Sequence, residues 1–440
     1  MYKDLIFTLK FFLIFAVFLG GFISAYGKIF PYNFIAPFVA SYGQYFAALD
    51  IEGQNNEWRW YAEEDLPKGM TLNSVEKAQQ DYIAYTSTAD TTIRLLDPSG
   101  AAAFSWRLDV EALWPNQEHI NTVKKVPFDY FTLRDFHIFP DGRALMIVSM
   151  YGSTPWGAGL VMLDKNSNVL WAQQGYYYND LHVDKAGHIY ALRHEITSES
   201  DAGKFDEAVS FNAPYLQDLI VQLNQQGEIV EELAVVDMLR KSLYKNLVPY
   251  IHDDGKGDYT HTNAIDVIEI GTDTPDFLDA GDIMASLRNL DVLVAIDGQT
   301  KEIKWAAHMP VKMQHDIDVL PNGNFLLYDN QGHLGPEGYS RLVELDPETL
   351  GVEWSYVGSR LMPFESEFWG FQQRLDNGNT LTTVPNKGHL FEVTPAGEVV
   401  MSYYVPYRKL EDGVSYNPVL TSASKIKRSE LAFLDNPEQE

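Results

Sequence analysis

Phe136-His137-Ile138-Phe139-Pro140-Asp141-Gly142-Arg143-Ala144-Leu145-Met146-Ile147-Val148 reads as a β-hairpin. A short apolar strand runs into Pro-Asp-Gly, and a second one leaves it. Glycine supplies the positive φ that such a tight turn requires. The same punctuation returns at Asp184-Lys185-Ala186-Gly187, Pro321-Asn322-Gly323 and Asp376-Asn377-Gly378, each between short strands. A second kind of turn alternates with it, centred on aspartate and followed by tryptophan. Asp97 precedes Trp106, Asp164 precedes Trp171, Asp297 precedes Trp305 and Asp346 precedes Trp354, at spacings of 9, 7, 8 and 8 residues. Asn224-Gln225-Gln226-Gly227 and Thr394-Pro395-Ala396-Gly397 are related turns without the tryptophan. Strand, turn, strand, connection, strand, turn, strand describes a four-stranded antiparallel unit. The repeat distance is 45 residues from Gly142 to Gly187 and 55 from Gly323 to Gly378, which suits propeller blades. The prediction is an all-β chain, a six-bladed β-propeller of four-stranded antiparallel blades. The blades fall at 81–109, 134–175, 179–235, 261–308, 314–358 and 369–406. Excursions at 197–215, 236–260 and 270–285 read as rim loops or short helices, where such folds carry function.

Outside the repeats, 28–80 reads as a connector packing on the propeller and 411–440 as a C-terminal tail. The run 5–26 is apolar apart from Thr8, Lys10 and Ser24, with Lys3 and Lys28 on its flanks. A bilayer span needs about 20 apolar residues, and no Ala-x-Ala cleavage site closes this run. Residues 1–27 are therefore expected to be a transmembrane signal-anchor or signal sequence, with the body periplasmic or otherwise extracytoplasmic.

The chain has 440 residues, of which 13% are aromatic, and such residues pack well on pleated, half-buried surfaces. Its formal charge is −28, which repels phosphate backbones and argues against a nucleic-acid partner. The absence of cysteine removes disulfides, zinc-thiolate sites and cysteine nucleophiles together. No P-loop, GxGxxG, HExxH or GxSxG is present. The acidic loops 252–258 and 273–282 offer oxygen ligands for calcium but lack EF-hand spacing, so the expectation is no cofactor, with calcium as the open alternative.

His137, His182, His261 and His315 fall at or near the first strands of blades, which line the channel of a propeller. Imidazoles there can bind an anion, move protons, attack as nucleophiles or hold a metal. His137 and His182 lie within Asp-x-His pairs and read as structural positions copied by the repeat.

Asp258-Tyr259-Thr260-His261-Thr262-Asn263-Ala264-Ile265 resembles the D-x-x-H-x-N-S-V box of the bacterial arylsulfotransferase family. Gln314-His315-Asp316, followed by Tyr328-Asp329-Asn330-Gln331-Gly332, resembles its Q-H-D … F-D-N-G box. The stretches 294–305, 373–381 and 391–398 are similar to further parts of it, and the likeness covers about 80–406. The resemblance implies transfer of a sulfuryl group between phenolic compounds through a covalent sulfo-histidine. Donors and acceptors would be small aromatic or sulfated molecules, and the membrane would be met through the N-terminal helix. It implies His315 as acid–base group or nucleophile, His261 as the residue that orients or binds the oxyanion, and His333 in the place of the family's arginine. Asn263, Asp316, Asn330, Trp369 and His389 are implied as substrate-binding residues. The nucleophilic histidine of the family would precede the last blade, yet that stretch reads Phe364-Glu365-Ser366-Glu367-Phe368-Trp369-Gly370. A second reading follows from that departure, a membrane-tethered propeller that binds a ligand or protein partner without catalysis.

Overall fold

The computed structural model describes residues 15, 17, 19–21, 59–62, 66–120, 125–150, 155–197, 215–250, 257–331, 340–359, 363–367 and 369–435. The expected anchor over 1–27, apart from five helical residues, and His333 lie outside them. No helix among the described residues is long and apolar enough to cross a membrane.

Among the described residues six antiparallel sheets of four or five strands carry the fold, beside a small three-stranded sheet of Trp60–Ala62, Val414–Pro418 and Lys409–Glu411. The second contains Phe131–Ile138, Ala144–Met150, Gly159–Leu163 and Val169–Gln174. The third contains Tyr176–Val183, Ile189–Thr197, Tyr215–Leu223 and Ile229–Ala234. The fourth contains Thr262–Val267, Ile283–Leu287, Val292–Ile296 and Ile303–His308. The fifth contains His315–Val319, Phe325–Asp329, Arg341–Leu345 and Val352–Tyr356. The sixth runs from Gln372–Arg374 through Thr380–Val384, His389–Val393 and Val399–Tyr404 to a fifth, outer strand, Gly69–Asn73. The first sheet begins with Leu420–Ile426 and continues through Tyr82–Ser87, Thr92–Leu96 and Ala102–Arg107. Contacts between sheets pass largely through their first strands and run in order from the first sheet to the sixth and back to the first. The fold is a β-propeller.

The hairpin at 136–148 forms in the expected register, with His137 opposite Leu145 and Ile138 opposite Ala144. Its turn is closed by Gly142 N donating to Phe139 O, with Gly142 at φ +89°. The aspartate-centred turns are Asx turns: one carboxylate oxygen of Asp97, Asp164, Asp297 or Asp346 accepts backbone N–H groups two to four residues on. Three of the tryptophans that follow point their indole N–H at turns of the next sheet. Trp106 donates to Gly142 O, Trp171 to Gln225 O and Trp354 to Pro395 O.

Runs such as Val292-Leu293-Val294-Ala295-Ile296 are apolar throughout because both faces are covered. Val292, Val294 and Ile296 pack with Leu192 and Ile220 of the third sheet, while Leu293 and Ala295 pack with Ile317 and Phe325 of the fifth. Outer strands such as Val169–Gln174 are largely exposed.

The segment expected to be a tail is part of the fold. Residues 82–107 supply only three strands, and the inner place of the first sheet is taken by Leu420–Ile426 from the other end of the chain. Lys425 of that strand pairs with Glu392 of the sixth sheet and donates to Gln79 O. Both members of the pair are buried, their side chains 2% and 0% exposed. Glu392 Oε1 in turn accepts from Gln79 N at 2.9 Å and from Asn379 Nδ2. The ring thus closes through a buried ion pair whose remaining acceptors are filled.

Candidate functional site

The inner strands of the second to fifth sheets are interrupted by a register shift near their beginnings, at Leu133/Phe136, Tyr177/Leu181, Thr262/Ala264 and His315/Ile317, and that of the first sheet at Leu420/Ser422. A bulge turns side chains off the regular alternation and is a common device beside functional sites. Backbone strain collects at this end of the channel: Asn179, His261, Met313, Asp316 and Trp369 all have positive φ, from 46° to 70°. Non-glycine residues persist there only where the surroundings hold them, and such positions cluster at functional sites.

His261 sits just ahead of its strand. Its Nδ1 lies 2.5 Å from Asp258 Oδ2, and its Nε2 has only a long contact, 3.5 Å, with Asn179 Nδ2. With Asp258 Oδ2 as acceptor, Nδ1 carries the proton of a neutral ring and Nε2 keeps its lone pair. Trp156 meets the His261 ring edge-on at 5.5 Å, and Tyr178 approaches it at 6.5 Å. The same two aromatics enclose a second imidazole. His194 stacks on Tyr178 at 3.6 Å and lies 5.7 Å from Trp156. Its Nδ1 faces Asp218 Oδ1 at 3.0 Å, with both side chains almost fully buried. Burial alone would raise the Asp218 carboxyl, but His194, Thr260 Oγ1 and Thr262 N–H outweigh it and bring it down to about 2. Two carboxylate-backed histidines therefore share one aromatic enclosure.

His315 is differently placed. Its Nδ1 donates to Asn330 Oδ1 at 2.8 Å, and its Nε2 accepts from Trp369 N at 3.3 Å. Asn330 Nδ2 donates to Trp369 O at 2.7 Å and to Ser366 O at 2.9 Å. Asn263 Nδ2 donates to Gln314 O at 2.7 Å, joining the fourth sheet to the fifth beside it. His315 is buried, which holds its pKa well below the usual imidazole value, and the charges of Arg288, Arg134 and His261 push the same way. His315 is thus a neutral imidazole with both nitrogens engaged. The Arg134 guanidinium lies over the Trp369 ring at 4.2 Å, which ties Trp369 to the same cationic neighbourhood.

Four expected residues, His315, Asn263, Asn330 and Trp369, are therefore joined directly or through Gln314, and His261 stands close enough to oppose protonation of His315. Asp316 has another task. Its Oδ2 accepts Gln372 N of the sixth sheet at 2.7 Å. Asp135 accepts Leu181 N, Asp180 accepts Ile265 N and Asp266 accepts Val319 N in the same way. These carboxyls staple the inner strands of the second to fifth sheets each to the next sheet. Burial raises all four, Asp266 to about 7, and repulsion from neighbouring carboxyls adds to it at Asp180 and Asp316 and, from Glu269, at Asp266.

His389 is not at this site. It belongs to the third strand of the sixth sheet, stacks on Tyr404 at 4.1 Å and has its Nε2 2.9 Å from Ser402 Oγ. Burial first, then Lys387, lowers it to about 3. It is a packed core histidine, because its strand lies away from the axis. His137 and His182 lie at the far ends of their inner strands, below the site, not at the beginnings. In the loop expected to suit calcium, Asp279 and Asp282 are engaged by Lys304. Among the described residues no group of three or more His, Asp or Glu is placed to hold a metal ion.

Arg134, Arg288, Trp156 and the His194–Asp218 pair were not anticipated. Arg134 carried a signal: Arg134, Asn179 and His315 each stand eight residues before a turn glycine, Gly142, Gly187 and Gly323. The repeat therefore marks all three as equivalent positions in the first halves of inner strands. Arg288 and His194 lie just beyond or near the ends of second strands, where nothing in the spacing distinguishes them.

The sequence profile described as Arylsulfotransferase (ASST) matches residues 144–405. No curated protein matches the chain. Among solved structures, a protein of unknown function from Bacteroides caccae is 11% identical with a TM-score of 0.46, covering 78% of this chain and 99% of its own. The Cps50 (Swd1) β-propeller domain of Myceliophteria thermophila is 14% identical with a TM-score of 0.41, covering 82% and 99%. A streptogramin B lyase is 10% identical with a TM-score of 0.40, covering 82% and 94%.

Proposed function

The chain belongs to the arylsulfotransferase family, and from that premise we propose that it moves a sulfuryl group between small phenolic compounds at the channel mouth around His261. We read the six sheets as a six-bladed propeller and the apolar N-terminal run as an anchor that holds the body outside the cytoplasm. The observation that carries the functional reading is the state of the His261 ring. Asp258 fixes its Nδ1, its Nε2 has no close partner, and Trp156 and Tyr178 flank it.

The expected roles of the two histidines are exchanged in this scheme. His261 Nε2 attacks the sulfur of an aryl sulfate; the N–S bond forms, the aryl O–S bond breaks, and the phenoxide leaves with a proton taken from solvent. Asp258 offsets the charge that develops on the sulfated imidazole. The acceptor phenol then attacks sulfur, the N–S bond breaks, and the phenolic proton returns to solvent. In this scheme Arg134 and Arg288, whose charges reach His315, supply the cationic donors that sulfuryl oxygens require, a task the resemblance assigned to His333. His315, with both nitrogens occupied, positions Trp369 and Asn330 and leaves the chemistry to its neighbour.

A second reading, ligand binding without catalysis, is favoured by the stretch before the last sheet. It carries exposed Glu365 and Glu367 and no histidine. Incubating the protein with 4-nitrophenyl sulfate and a phenolic acceptor separates the two. Transfer that disappears in His261→Ala supports the first. Saturable binding of the sulfate with no transfer by the folded protein supports the second.

A further inference from the structure

We propose that the cleft beside Trp354, between the fifth and sixth sheets and apart from the histidine site, binds a small aromatic molecule bearing an ammonium or phenolic hydrogen-bond donor. The four repeat tryptophans differ in what covers them. Each stands on an outer strand at the seam with the next sheet, and at three seams the chain itself covers the indole. Phe104 and Phe433 lie 4.8 and 5.5 Å from Trp106. Phe277 stacks on Trp305 at 5.3 Å, with 20° between the rings. At Trp171 the turn carrying Gly227 presses so closely that an added Cβ would lie 2.6 Å from the indole.

Trp354 is the counterpart of Trp171. Both donate to the second residue of a turn, Gln225 O and Pro395 O, at 2.9 Å. Yet a Cβ built on Gly397, the glycine equivalent to Gly227, meets nothing within 4 Å. Among the described residues no aromatic ring contacts Trp354, and a cavity of about 340 Å³ opens beside it. The fold thus repeats a seam slot, filled by aromatic rings at Trp106 and Trp305 and by the turn at Trp171, and at Trp354 leaves a cavity bounded by the Arg374 guanidinium.

The walls define the ring's substituent. Arg374 lies 5.1 Å from the Trp354 centroid and is tied to Glu344 Oε2 at 2.8 Å and Thr380 Oγ1 at 3.0 Å. Glu344 Oε1 accepts from Asn324 at 2.8 Å. This pair is neutral as a unit and its acceptors are used. Glu353 adds an exposed carboxylate on the rim. The surplus is one negative charge, which suits a donor-bearing or cationic aromatic and disfavours an aryl sulfate.

Fluorine NMR of full-length protein carrying fluorotryptophan at its nine tryptophan positions tests this, with the Trp354 resonance assigned from Trp354→Phe. Tyramine should shift that resonance saturably at concentrations up to about 10 mM. Glu353→Gln, at an exposed position, should weaken the effect about two- to fivefold, and phenyl sulfate should act more weakly than tyramine. A resonance that does not move, or one that responds equally to both compounds and is indifferent to Glu353→Gln, overturns the proposal. Tyramine binding at the histidine site would move other resonances and is read separately.

Discussion

Two histidines of similar sequence context have opposite chemical standing. His261 has a carboxylate on one nitrogen and little on the other; His315 has a partner on each. His261→Ala should therefore reduce sulfuryl transfer by about 10³-fold, and Asp258→Asn by about 10²-fold, measured as kcat with 4-nitrophenyl sulfate. His315→Gln should alter KM more than kcat and leave the pH–rate profile in place, because burial already keeps that ring neutral in the working range. A profile that loses its acid limb in His315→Gln would return the acid–base role to His315. The repeat made 261, 263, 315 and 369 legible because they lie at or just before inner-strand starts, and the Asp-Asn box made 330 legible just past the strand Phe325–Asp329. They left His194 and Arg288 unread, since nothing local shows that the third and fourth sheets bring strand ends together at one mouth. His389 misled because a histidine in the last blade looks the same from sequence whether its strand is inner or outer.

At the level of strands and sheets, the two turn types were legible because each depends on local chemistry, a positive-φ glycine or an Asx carboxylate. The closing strand was not. Leu420-Thr421-Ser422-Ala423-Ser424-Lys425-Ile426 carries no turn signal, and its partner Tyr82–Ser87 lies at the other end of the chain. What reveals the closure is Lys425 buried against Glu392. Lys425→Met alone should destabilise the protein by about 3–5 kcal/mol in chemical denaturation, since it leaves Glu392 buried and unpaired. Lys425→Met with Glu392→Gln should recover much of that loss. The inner-strand staples permit a gentler test. The Asp180 carboxyl is pushed well above its ordinary range, first by burial and then by Asp135, and accepts Ile265 N at 2.6 Å. Asp180→Asn keeps an acceptor and removes a repelling charge, so it should be nearly neutral at pH 7. Asp180→Ala leaves the Ile265 N–H without its partner and should cost about 1–3 kcal/mol.

Over the whole molecule, carboxyls gathered on the channel axis make alkaline pH a destabilising condition. Asp318 is raised to about 8, first by burial and then by Asp266, while Gln372 and Arg374 act in the opposite sense. Asp266 is raised to about 7 by burial and Glu269, against hydrogen bonds from Val319 and Val267 N–H. In the unfolded chain both ionise near pH 4, so between about pH 4 and their folded values the native state holds more protons. Stability falls with rising pH wherever that is true, by roughly 1.4 kcal/mol per pH unit for each group still protonated. Below about 6.5 the buried histidines act in the other direction. His137, lowered to about 4, and His389, lowered to about 3, bind protons less readily than the unfolded chain does. Above 6.5 that opposition ends and the carboxyls alone set the slope. The melting temperature should accordingly decline between about pH 6.5 and 8.5 at constant ionic strength. Asp318→Asn should flatten that decline, raising the melting temperature more at pH 8.5 than at pH 5.5, because the cost of protonating this carboxylate on folding grows with pH up to its folded value. A wild-type protein whose melting temperature holds level or rises from 6.5 to 8.5, or an Asp318→Asn variant that melts earlier at both pH values, would show that these carboxyls are ionised in the native channel.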